Sequence, residues 1–149
     1  MDYGEIMEHL APCGLDCTRC PDYTDGETRE LASMLQECLG DYERRARLKS
    51  DTIPVFAGWS QFAAILDYFS RASCCGCRSK ENHRPFDCRA ATCAKKHGVD
   101  YCFACKEFPC DGGDPWALTP AGERWKKNNE RMRDLGVQAF FMEQELFPR

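Results

Sequence analysis

A chain of 149 residues suits a single domain, numbered 1–149. Its 24 acidic and 20 basic residues give a formal charge of −4, which does not describe a general nucleic-acid binder. No run approaches the 18 apolar residues that would suggest a membrane span.

The first residues, MDYGEIMEHLAPCG, lack a basic stretch followed by an apolar one, so no secretory leader is expected. A cytoplasmic location follows as the expectation. Cysteines clustered in a reducing compartment read as metal ligands rather than disulfides. There are twelve of them, far above ordinary usage. Three lie at 13–20, eight lie between Cys74 and Cys110, and Cys38 stands apart.

CGLDCTRC at 13–20 spaces its thiols C-x3-C-x2-C. That spacing can hold three irons of a [4Fe–4S] cluster and leave the fourth for S-adenosylmethionine. Radical enzymes of that kind need a full or partial (β/α) barrel, and a complete one takes roughly 200 residues or more. The chain is too short and shows no Gly-rich strand–helix alternation, so only the metal-binding reading of the triplet survives.

Residues 27–71 read as a helical middle. From 27 to 48, Leu31, Met34, Leu35, Cys38, Leu39 and Tyr42 recur at helical spacing and form one stripe. Cys38 on that stripe is expected to be a small buried core residue. Gly40 weakens or ends the helix, and YERRARLKS reads as its solvated basic end. Pro54 marks a break. GWSQFAAILDYFSRA then offers Trp59, Phe62, Ala63, Leu66 and Phe69 as a second amphipathic face.

A short helix is predicted from Cys88 or Arg89 to His97, with Asp87 as its N-cap and Gly98 as a left-handed C-terminal cap. Pro109 keeps CFACKEFPC from being helical. Residues 119–147 carry the C-terminal helices. Thr119 caps the first, Pro120 suits its first position, and the helix stops near Gly136 before a last short one. The expected fold is small and mainly α, with little or no β. An irregular, metal-stapled, cysteine-rich half with knuckle-like turns packs on three to five helices. The metal-binding segments are 13–20 and 74–110.

Cys74-x2-Cys77 and Cys102-x2-Cys105 are two pairs of the kind that aim two sulfurs at one point, and Gly76 permits the turn. Together they resemble a stretched zinc ribbon, and this foursome is one expected site. Cys88 and Cys93 straddle the start of the short helix, and Cys110 follows Pro109. Adding Cys13, Cys17 and Cys20 makes ten candidate ligands, two more than a pair of four-cysteine sites needs. The N-terminal triplet is expected to form part of the other site, completed by a thiolate from 74–110. Cys75 is expected to be a non-ligand. His9, His83 and His97 are weaker candidates, with His83 the best placed. Residues 74–110 hold seven Lys or Arg against four Asp or Glu, and that excess offsets thiolate charge.

CGLDCTRCPDY, CCGCR, CRAATCAKKHGVDYCFACKEFPC and NNERMRDLGVQAFFMEQE resemble, in order and spacing, domain-of-unknown-function family 3795 over about residues 11–145. Its proteins are small and cysteine-rich and come from bacteria and archaea. Carried over, the family grid falls on the ten cysteines already named and leaves out Cys38 and Cys75. The resemblance implies metal binding, zinc first, and no established activity.

Zinc at about two per chain is the expected cofactor, because structural sites are closed by four protein ligands. A [4Fe–4S] centre for electron transfer or redox sensing is the alternative. No nucleotide loop, H-E-x-x-H or Ser–His–Asp set accompanies the cysteines. The expected function is therefore a zinc-stabilised module that binds a protein partner, with no catalytic residues and no membrane or nucleic-acid partner.

Overall fold

The structure is a computed structural model, and it describes residues 1–81, 88–110, 119–144 and 146. It is mainly helical. The elements are α1 Tyr3–His9, α2 Glu27–Leu39, α3 Glu43–Ser50, α4 Trp59–Ser70, α5 Arg89–His97, α6 Pro120–Leu135 and α7 Val137–Gln144. Short 3-10 turns lie at Cys17–Arg19, Pro54–Gly58 and Cys102–Ala104. Among the described residues there is no strand, only isolated bridges at Leu10–Asp16 and Tyr23–Cys74. The seven α-helices among the described residues exceed the three to five expected.

Local chemistry explains most boundaries. α1 opens on a capping box: the Asp2 carboxylate accepts the Glu5 N–H at 2.9 Å, and Glu5 accepts the Asp2 N–H at 2.7 Å. The 27–48 stretch splits at Gly40, whose φ of +54° stops α2. Gly98 caps α5 at φ +64°, and Gly136 ends α6 at φ +84°. Thr119 accepts the Gly122 N–H at 3.2 Å, with Pro120 at the first helical position. Cys88 is the N-cap residue of α5; Asp87, expected there, lies outside the described residues.

The main core joins the two ends of the chain. Ile6 and Leu10 from the α1 side meet Met132 of α6, Val137, Phe140 and Phe141 of α7, and Tyr101. A second cluster sets Ala90 and Ala94 of α5 and Trp125 of α6 around Cys102. Both are formed around the cysteine segments, which places α6 as the floor under them.

The helical middle departs from expectation. α2 packs along α4, but through Ala32 and polar ties: Arg29 Nε donates to the Ser70 carbonyl at 3.4 Å and Gln36 to Asp67 at 3.5 Å. The stripe of Leu31, Met34 and Leu35 faces solvent, and Cys38, expected in the core, is exposed with it. Periodicity identifies an apolar face, but among the described residues the cysteine-rich half supplies nothing to cover this one. No helix among the described residues is long and apolar enough to cross a membrane.

Candidate metal centre

Two of the cysteine pairs adopt one local form. Cys17 begins a 3-10 turn in which the Cys20 N–H donates to the Cys17 carbonyl at 3.0 Å, and the Tyr23 N–H then donates to Cys20 at 3.1 Å. Cys102 repeats it: Cys105 N–H to Cys102 at 3.0 Å, then Phe108 N–H to Cys105 at 3.2 Å. Each turn follows a left-handed glycine, an aliphatic residue and an aspartate: Gly14-Leu15-Asp16 with φ +78°, and Gly98-Val99-Asp100 with φ +64°. The second copy has one extra residue, Tyr101. No internal repeat is evident when the sequence is compared at a fixed period, because that insertion shifts the register; C-x2-C-x2-aromatic is the signal that finds it.

Helix α6 holds both turns. Buried Asn129 accepts the Phe103 N–H at 2.9 Å and donates to the Pro12 carbonyl at 3.4 Å. Its neighbour Asn128 donates to the Gly14 carbonyl at 3.1 Å, as does Gln144 of α7. The Cys102 N–H also donates to Pro12, at 3.3 Å. The third pair is tied to the first by its backbone: Cys74 N–H donates to Asp22 at 2.9 Å and Thr24 N–H donates to Cys74 at 3.0 Å. Gly76, at φ +85°, makes the turn to Cys77 and lies against the Cys17 sulfur.

The sulfurs gather in two groups. In the first, Cys77 neighbours both Cys17 and Cys88, and Cys13 lies within electrostatic reach of all three. The Cys77 side chain and N–H favour the Cys17 thiolate and hold that thiol below its ordinary value despite burial. Facing Cys17 pushes Cys77 up to about 12, and facing Cys77 raises Cys88. Burial raises Cys13, against the Leu15 N–H and the Arg124 guanidinium, which favour its thiolate. Cys20 is raised by burial, faces the Asp22 N–H, and stands near Cys74.

The second group is Cys93, Cys102, Cys105 and Cys110. Burial pushes Cys102 up to about 11, opposed by the neighbouring Trp125 indole; Cys13, Cys93 and Cys110 lie close enough to raise it further. Burial also raises Cys110, next to Cys93 and Cys105, with Arg89 opposing. A cleft of about 580 Å³ opens beside Cys93, Cys102 and Cys110.

Of the expected foursome of Cys74, Cys77, Cys102 and Cys105, Cys77 stands beside Cys17 and Cys88, and Cys102 stands in electrostatic reach of Cys13, Cys93 and Cys110. Cys75 is set apart, its thiol turned to the Ser73 carbonyl and Glu81. His97 ends α5, His9 ends α1 with a buried Nδ1 that lacks a hydrogen-bond partner, and His83 lies outside the described residues. Arg78 serves structure rather than charge balance. Its Nε donates to the Leu10 carbonyl at 3.3 Å, Nη2 donates to Asp100, and the guanidinium lies 4.8 Å from the Tyr101 ring centre.

All twelve cysteines are free thiols. Among the described residues, no three His, Cys, Asp or Glu side chains converge tightly enough, as they stand, to hold a metal ion. The donor chemistry nonetheless suits a thiophilic metal. Sulfurs at Cys13, Cys17, Cys20 and Cys88 each face backbone N–H groups, which favour thiolates.

No curated protein and no solved structure matches this sequence. A family model does, over residues 9–114, which takes in all ten candidate cysteines and stops short of α6 and α7, where NNERMRDLGVQAFFMEQE lies. With most of its length covered, the chain belongs to the family described as Protein of unknown function (DUF3795).

Proposed function

We propose that this protein binds zinc at two closed structural sites and that the metal-held half supports a module for protein interaction. Cys13, Cys17, Cys77 and Cys88 would hold one ion; Cys93, Cys102, Cys105 and Cys110 would hold the other. Cys20 and Cys74 are the two spare thiols. The observation that carries this reading is the placing of Cys77 beside both Cys17 and Cys88, with Cys13 in electrostatic reach, which brings thiols of separate segments together.

A zinc ion with four thiolate ligands supplies cross-linking and no open position for water. The chain's own residues do the rest. Backbone N–H groups and Arg124 favour the thiolates of the first group, while Arg89 and the Trp125 indole do so in the second. Structural zinc of this kind can contribute about 10–16 kcal/mol of apparent binding energy to folding. That is a large sum for a fold whose middle helices bury little.

Metal content and the visible spectrum of anaerobically purified protein test the reading. About two zinc per chain without colour is the expected result. Cys17→Ser and Cys102→Ser should each remove one equivalent, and Cys38→Ser none. About four irons per chain with a broad absorption band would replace zinc with an iron–sulfur centre. Metal-free, folded protein would sink both.

A further inference from the structure

The α2–α4 pair exposes a row of large apolar side chains. Leu31 is 56% exposed, Met34 54%, Leu35 43%, Phe62 42% and Ile65 56%. These residues form one face. Leu31 and Leu35 each precede a residue of the α2 packing side, Ala32 and Gln36; Phe62 and Ile65 each precede one on α4, Ala63 and Leu66. A step of one residue turns the helix by about 100°. The two helices run antiparallel, Arg29 at the start of α2 reaching Ser70 at the end of α4. Equal rotations on antiparallel helices fall on the same side, so both rows join. Contiguous patches of this kind mark interaction sites.

The charges around the patch point to its occupant. Residues 27–41 carry four acids and one base; 43–50 carry four bases and one acid. A two-fold interface requires a surface that complements itself. Tyr42, at the start of the basic α3, lies 5.0 Å from Trp59, which lies 5.4 Å from Phe62 of the apolar face. The basic helix therefore adjoins one end of that face, and a second copy turned by two-fold rotation sets α2 against α3 in both directions.

We infer that this protein forms a two-fold homodimer through the exposed face of α2 and α4, with the acidic α2 of each copy opposite the basic α3 of the other. The dimer names the partner for the interaction half of the proposed function and does not depend on the metal half. A 13-residue helix is about 20 Å long, so the face is at the small end of the ~800 Å² per partner of a specific interface. The dimer is accordingly a concentration-dependent one.

Sedimentation velocity of the full chain from about 1 to 200 µM tests this, with zinc measured on the same samples. The expected result is a shift from monomer to dimer. Leu31→Asp with Ile65→Asp should abolish it while helicity and metal content stay unchanged. If that variant misfolds, two surface variants decide instead. Arg44→Glu with Arg45→Glu, and Glu30→Lys with Glu37→Lys, should each weaken self-association about 10-fold, and mixing the two should restore a heterodimer. A chain that is monomeric throughout, or a dimer indifferent to these changes, overturns the inference, whatever its zinc content. A dimer without zinc would overturn only the metal reading.

Discussion

The Oδ1 of Asn129 accepts the backbone N–H of Phe103 at 2.9 Å, from a side chain that is wholly buried. The same amide donates to Pro12 and to Trp125 of its own helix, at 3.4 and 3.0 Å. One residue of α6 thus fixes the backbone on which both cysteine turns stand.

Asn129→Ala takes from the Phe103 N–H its side-chain acceptor and from the Pro12 carbonyl one of its two donors, the Cys102 N–H remaining, which costs about 1–3 kcal/mol. A lower urea midpoint with an unchanged m-value is expected. The Asn128→Ala change removes one part-buried bond to Gly14 and should cost about 1 kcal/mol.

Gly14 is held twice over. Its φ is +78°, and a Cβ there would stand 2.7 Å from Asn128 Cβ. Gly14→Ala must strain the turn and displace α6, and a loss of about 2 kcal/mol or more is expected in the same urea titration. Gly40, at φ +54° with nothing within 4 Å of a Cβ, provides the comparison. Gly40→Ala should cost about 1 kcal/mol.

Arg78 binds the loop after Cys77 to α1 and to the segment before Cys102. Arg78→Ala loses two bonds to backbone carbonyls and the stacking on Tyr101. About 1–3 kcal/mol is expected, read as a fall in thermal midpoint. Arg78→Lys should recover less than half, because an ammonium cannot serve both carbonyls and the ring.

Arg131 of α6 and Glu143 of α7 form an ion pair. The hydrogen bond from Arg131 holds Glu143 below the ordinary value of 4.5. A depressed carboxyl stabilises the fold above its unfolded value and loses that contribution as pH falls through the folded one. Stability should therefore drop below about pH 4.5 in part through this pair. Glu143→Gln should flatten that portion of the profile, and 0.5 M salt, roughly, should shrink the difference because the pair is exposed.

Much of the helical frame was legible from local chemistry. Thr119 and Pro120 marked the start of α6, Gly136 its end, Gly98 the end of α5, and Pro54 the break before α4. These features depend on φ preferences and on hydrogen bonds spanning a few residues, so they survive without knowledge of the fold. The cysteines also declared themselves as a group by number and clustering. Which sulfurs meet did not follow. Cys17 and Cys77 are brought together by a backbone pairing of Asp22 and Thr24 with Cys74, and Cys102 is set by Asn129 and Trp125, all far apart in sequence. The stripe of Leu31, Met34 and Leu35 is the clearest division. By itself the sequence determined that these residues share a face of a helix, since 3.6 residues per turn is a property of the backbone. Only the tertiary structure decided that α2 docks through Ala32 and Gln36 instead, because what covers a face depends on what the rest of the chain brings to it.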